Sequence, residues 1–133
     1  MKRKYINIIG KEIILRDLMK TCYGWVEIDG VRYDHDVIVH QNRSVEKRSK
    51  KLSRKRRGFF SHTPLSDSDL TFLSKENPDL VYIGTGQFND LPITNEALAI
   101  LAKFRAIIRP TPEIMNFLAE EYRPFAAVLH VKC

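Results

Sequence analysis

Leu80-Val81-Tyr82-Ile83-Gly84-Thr85-Gly86 is the stretch on which the fold turns. Asn77-Pro78-Asp79 breaks the chain ahead of it, Leu80 to Ile83 are apolar and β-favouring, and two glycines then flank a threonine. This order predicts a buried strand opening into a tight loop. Glycines let the main chain approach another group closely, and amides in such a loop can face an anion. Gly84, Thr85 and Gly86 are therefore the first candidate ligand residues. The loop is not a phosphate loop of the Walker type, since no Gly-Lys-Ser/Thr follows. Nor is it the dinucleotide fingerprint, since no third glycine opens a helix directly.

The flanking sequence extends the pattern. Downstream, Thr94 is placed to cap a helix through Ala97, Leu98 and Leu101, and Ala106-Ile107-Ile108 reads as a second short buried strand. Thr111-Pro112-Glu113 is a helix start with a cap, a proline at the first position and an acid next. Met115, Phe117 and Leu118 would pack that helix, and Ala126 to Val131 is a last strand. Upstream, Ser66-Asp67-Ser68-Asp69 predicts a capped helix start, with acids where the helix dipole favours them and an end near Asn77-Pro78. Strand–helix–strand–helix–strand with short connections predicts an α/β fold with parallel pairing. The first half reads differently. Tyr23 to Glu27, the Asp29-Gly30 hairpin signal, Val31 to Tyr33, Asp36 to His40 and Ser44 to Arg48 suggest an antiparallel meander. Glu12 to Leu15 could add a strand. Residues 1–21 are read as an N-terminal extension and 22–133 as the domain, with Met19 a rival to Met1 as the native start.

Composition narrows the function classes. The 133 residues suit one core, and 44% hydrophobic content is ordinary for a globular chain. No apolar run approaches the roughly 20 residues that span a bilayer, and the basic Met1-Lys2-Arg3-Lys4 is not followed by a signal-peptide pattern. Cytoplasmic location, with no membrane partner, is the expectation. The two cysteines, Cys22 and Cys133, lack metal-ligand spacing, so reduced thiols are expected and neither metal nor cofactor. Charge is concentrated. Residues 43–57 hold nine Lys or Arg and one acid, Glu46, for a net +8, while the rest of the chain sums to −2. The excess positive charge is local, not general.

Several motifs recur in an order that resembles the Mth nine-three-eight domain family. They are Tyr23-Gly24-Trp25 before the Asp-Gly hairpin, Tyr33 with Asp36-Val37-Ile38, and Ser61-His62-Thr63-Pro64-Leu65. Pro78-Asp79 ahead of the glycine loop, Pro110-Thr111-Pro112-Glu113 and Leu129-His130-Val131-Lys132-Cys133 complete the set. The family includes archaeal and bacterial proteins of unknown function, the human adipogenesis-associated domain protein and a mitochondrial assembly factor for respiratory complex I. The resemblance covers residues 22–133. It implies a three-layer α/β domain around a mixed central sheet, with an N-terminal antiparallel hairpin region. It implies no established activity, and an assembly or regulatory role rather than an enzymatic one.

Three functions follow from the residues. The first is a binding or assembly module without chemistry, taking a small anionic ligand or a protein partner in a cleft at the glycine loop. Gly84, Thr85, Gly86, Thr111, Arg57, His62 and Ser61 would hold the ligand, because a free helix start and basic side chains add to loop amides. The second is a small enzyme with His62 as general acid or base, although no nucleophile is evident and Ser61 beside His62 is adjacency rather than a triad. The third is nucleic-acid contact through Lys50, Lys51, Arg54, Lys55, Arg56 and Arg57, since dense charge supplies phosphate affinity, with Phe59 and Phe60 as the nearby stacking surfaces. Against these stand plainer readings: a structural turn, a plain cap and a solvated basic arm. His40 and His130 lie in strands, where satisfied structural histidines are the default. His35 is read as a turn residue.

Overall fold

The computed structural model describes residues 19–58, 60 and 62–132. The possible strand at Glu12 to Leu15, the choice of Met1 as start, Phe59, Ser61 and the Cys133 thiol lie outside the described residues. Three short strands, β1 (Met19–Cys22), β2 (Trp25–Ile28) and β3 (Val31–Tyr33), form an antiparallel sheet. Asp29 and Gly30 both carry positive φ, 51° and 82°, the geometry that an Asp-Gly hairpin turn supplies. Pairing begins upstream of position 22, because Met19, Lys20 and Thr21 lie opposite Ile28, Glu27 and Val26.

The larger sheet is mixed. Its strands are β4 (Val37–Val39), β5 (Val45–Lys47), β6 (Leu80–Thr85), β7 (Ala106–Arg109) and β8 (Phe125–His130), in the spatial order β5-β4-β8-β6-β7. β6 runs parallel to both β7 and β8, whereas β4 is antiparallel to both β8 and β5. The basic segment is shaped by a 3-10 turn at Ser53–Arg56. Ser66 and Asp69 exchange the two bonds of a capping box at a second 3-10 turn, Asp67–Leu70. The helix expected from there to Asn77 is divided, since only α1 (Leu73–Glu76) is α-helical and the left-handed Asn77 (φ 47°) closes it. The helices α2 (Asn95–Leu101), capped by Thr94, and α3 (Thr111–Glu120) connect β6 to β7 and β7 to β8.

Alternation along the strands divides the core into two faces. On one, Leu80, Tyr82, Ala127 and Leu129 pack against Ile114, Met115 and Leu118 of α3 and Val26 and Ile28 of the small sheet. On the other, Val81, Ile83, Ala126 and Val128 pack against Leu70, Leu73, Ala97 and Leu101. The result is three layers, with β6 and β8 buried along their whole lengths in the middle one. Strands covered on both faces read as continuous apolar runs, which is how Leu80–Ile83 and Phe125–Leu129 read.

Candidate functional site

The glycine loop serves a close approach within the protein. A Cβ on Gly84 would fall 2.7 Å from Thr111 Oγ1. The Gly86 amide donates to the same hydroxyl at 2.9 Å, and that hydroxyl donates to the His130 carbonyl at 2.6 Å. Thr85 bonds the Asn89 side chain. Thr111 is buried and does not cap its helix; Pro110 stands at the cap position. The loop and the start of α3, expected to face a ligand together, are thus joined to each other. What they fix is the end of β8, and with it His130.

His130 lies opposite Thr85 in the β6–β8 register and on the same sheet face as Asp36, the residue before β4. The ring Nδ1 is 2.8 Å and 3.0 Å from the two carboxylate oxygens of Asp36. The same carboxylate accepts from the Val131 amide at 3.0 Å and from Arg48 Nη1 at 2.9 Å, and Lys50 Nζ lies 3.4 Å away. Burial alone would raise the Asp36 pKa. The His130 hydrogen bond, with the charges of His130, Lys50 and Arg48, outweighs it and holds the carboxyl well below the usual carboxylate range. An ionised carboxylate only accepts, so Nδ1 carries the ring proton. In the neutral ring Nε2 is then a lone pair, and in the imidazolium it is a donor. That Nε2 is shielded from solvent and has no hydrogen-bond partner among the described residues.

Behind this pair lies a buried charged network. Arg48, fully enclosed, holds Asp69 in a two-point contact (3.0 Å each), reaches Asp36, and donates to the Pro64 carbonyl at 2.7 Å. Burial disfavours its charge, but the bonds and charges of Asp69 and Asp36 prevail and raise its pKa. Ser53 Oγ donates to Asp69 at 2.7 Å and meets Ser66 Oγ at 2.6 Å. The basic run is therefore anchored inside the fold at Arg48 and Ser53.

Two cavities open beside this network. The smaller, about 320 Å³, is lined by Tyr23, Lys50, Arg57, His62, Thr63, His130 and Lys132, three of them cations and none an acid. The His62 and His130 rings are 6.5 Å apart between centroids. The larger, about 470 Å³, shares Lys50 and Lys132, adds Lys47, Arg48, Lys51 and Arg54, and is also lined by Asp34 and the buried Asp36. Of the expected ligand residues, Arg57 and His62 meet in the smaller cavity. Gly84, Thr85, Gly86 and Thr111 stand behind it as scaffold, and Ser61 is outside the described residues. Of the nucleic-acid candidates, Lys55 and Arg56 are exposed on the Ser53–Arg56 turn, with Arg56 3.5 Å from Asp67. Asp36 and His130 were not among the expected ligand residues. The available signal was a carboxylate and an imidazole at the ends of two apolar strands. Among the described residues no group of His, Cys, Asp and Glu is arranged to hold a metal ion, and no helix is long and apolar enough to cross a membrane.

No protein-family model matches the chain, and no curated protein matches it either. Solved structures do. A conserved hypothetical protein from Pyrococcus horikoshii OT3, PH1505, superposes with a TM-score of 0.76 at 27% identity, over 86% of this chain and 97% of its own. MT938 superposes with a TM-score of 0.73 at 29% identity, over 86% and 96%. A Xanthomonas campestris protein, at 14% identity and a TM-score of 0.58 over 85% and 83%, shares the fold alone. Over most of its length the chain is thus similar to a small set of α/β proteins, MT938 among them, in keeping with the resemblance that its motifs carry.

Proposed function

We propose that this chain is a binding module for a small anion or an acidic segment of a partner, seated in the pocket of Lys50, Arg57, His62 and Lys132 against His130. One observation carries the reading. His130, whose buried Nε2 has no partner among the described residues, lines a cavity that carries three cations and no acid. Buried polar groups are ordinarily paired, and an exception in a charged cavity marks a place for a ligand atom. A phosphate oxygen would accept from Arg57 and Lys50, and would either bring a proton to Nε2 or take a hydrogen bond from the imidazolium. The glycine loop takes part as support, through Thr111 and the His130 carbonyl. No chemistry is required, in line with an assembly or regulatory role.

Inorganic phosphate titrated calorimetrically tests this. Lys50→Ala and Arg57→Ala should each weaken binding by about tenfold, the loss of one charge-assisted contact. Equal affinity in the double variant overturns the reading. A single-stranded oligonucleotide that binds equally well to the double variant would place the function on the exposed cations Lys51, Lys55 and Arg56 instead.

A second reading is favoured by the Asp36–His130 pair. A carboxylate that orients an imidazole is the arrangement of a general base, so His130 rather than His62 would exchange the proton in an enzyme. Turnover of a phosphate monoester that is lost in His130→Asn while phosphate binding persists would decide for it.

A further inference from the structure

An exposed aromatic ring lines the cationic pocket, and a second exposed ring packs against it. Tyr23, in the β1–β2 turn, lines the cavity and is 51% exposed; Phe88, in the turn after β6, is 67% exposed. Their ring centroids are 6.0 Å apart and their planes are tilted by 36°. Both turns are fastened to the same short stretch of chain that follows His130. The Gly24 amide donates to the Val131 carbonyl at 2.8 Å, and the Gln87 amide to the Lys132 carbonyl at 2.7 Å. A third bond, from Gln87 Nε2 to Thr21 Oγ1 at 2.9 Å, ties the later turn to β1 just ahead of the first. The turns that carry the two rings are therefore held beside the chain that follows His130. Together the two rings form one contiguous exposed aromatic surface beside the cations.

From this we infer that the ligand is a phosphate ester bearing a planar base, a nucleoside monophosphate in chemical class, with its base on the Tyr23–Phe88 platform and its phosphate among Lys50, Arg57 and Lys132. The inference rests on the anion-pocket reading and adds the second half of the ligand. Aromatic rings take base faces by stacking, without needing a particular base, while the cations take the phosphate. The pocket volume, about 320 Å³, is small for a drug-sized ligand buried whole, and it suits a phosphate and sugar inside with a base resting on the rim.

The test compares inorganic phosphate, ribose 5-phosphate and adenosine 5′-monophosphate by calorimetry, on the wild type and on Phe88→Ala. Adenosine 5′-monophosphate should bind about tenfold more tightly than ribose 5-phosphate, the usual worth of one base stacked on a ring. Phe88→Ala should abolish that difference and leave inorganic phosphate affinity unchanged. Equal affinity of the two esters for the wild type, or an undiminished preference in Phe88→Ala, overturns the inference while the anion pocket stands. Failure of all three anions to bind removes the pocket reading and the inference with it.

Discussion

Asp36 and His130 face each other across the antiparallel β4–β8 pair, the imidazole Nδ1 2.8 Å from the carboxylate. They are 94 positions apart in the chain. Asp36 also links the cation-lined cavity to the internal network, because the same carboxylate receives Arg48.

Arg48→Met should destabilise the protein by about 3–5 kcal/mol at neutral pH, the usual result of leaving buried carboxylates without their cation. The sign with pH follows from Asp36. Its pKa lies below the ordinary 3.8 in the folded protein, so its stabilising effect is complete above that value and is lost as pH falls through the folded one. The deficit of Arg48→Met relative to the wild type should therefore shrink as the solution is acidified. Urea unfolding at a series of pH values reads this, and a deficit that stays constant or grows in acid would contradict it.

Thr111→Val keeps the shape of the side chain and removes the hydroxyl that joins the Gly86 amide to the His130 carbonyl. Two buried main-chain groups lose a partner, at about 1–3 kcal/mol each. Thr111→Ser keeps the oxygen and should recover most of the loss. If the valine and serine variants have the same denaturant midpoint, the hydroxyl is not what holds the loop.

His40 bridges two carboxylates, with Nδ1 2.5 Å from Glu76 and Nε2 2.6 Å from Glu46. Burial works against the charged ring, but the bonds to Glu46 and Glu76 and their charges outweigh it and raise the pKa above 6.5. A raised pKa in the folded state stabilises fully below 6.5 and fades as pH climbs through the folded value. Thermal melts of the wild type should lose ground to His40→Gln as the solution becomes alkaline, with the largest advantage of the wild type on the acid side. A difference that does not change with pH would contradict the upward shift of the ring.

Much of the fold was legible because it rests on local signals. Asp29-Gly30 turns as its residue types require, Thr94 caps as expected, and Leu80–Ile83 is the buried strand that its run of apolar residues predicts. The glycine loop was legible as a close approach, but local sequence does not say what approaches. The partner, Thr111, arrives through a parallel crossover 25 positions on. The pocket was harder to see for the same reason. Its imidazole is oriented by a carboxylate from the other half of the chain, and only the β4–β8 pairing brings them together. Arg48 looked like one more solvated charge, since nothing in a run of lysines and arginines marks the member that turns inward.

The inward turn of Arg48, with Ser53 beside it, changes what the basic segment is. A tethered tentacle would have to give up its freedom each time it met an acidic molecule. Here part of that freedom is surrendered once, when the chain folds, because Arg48 and Ser53 fix the main chain, with Lys50 between them and Arg57 following after. Under the proposed anion reading, such a surface would select by shape as well as by charge, and two anions of equal charge but different outline would not be held alike.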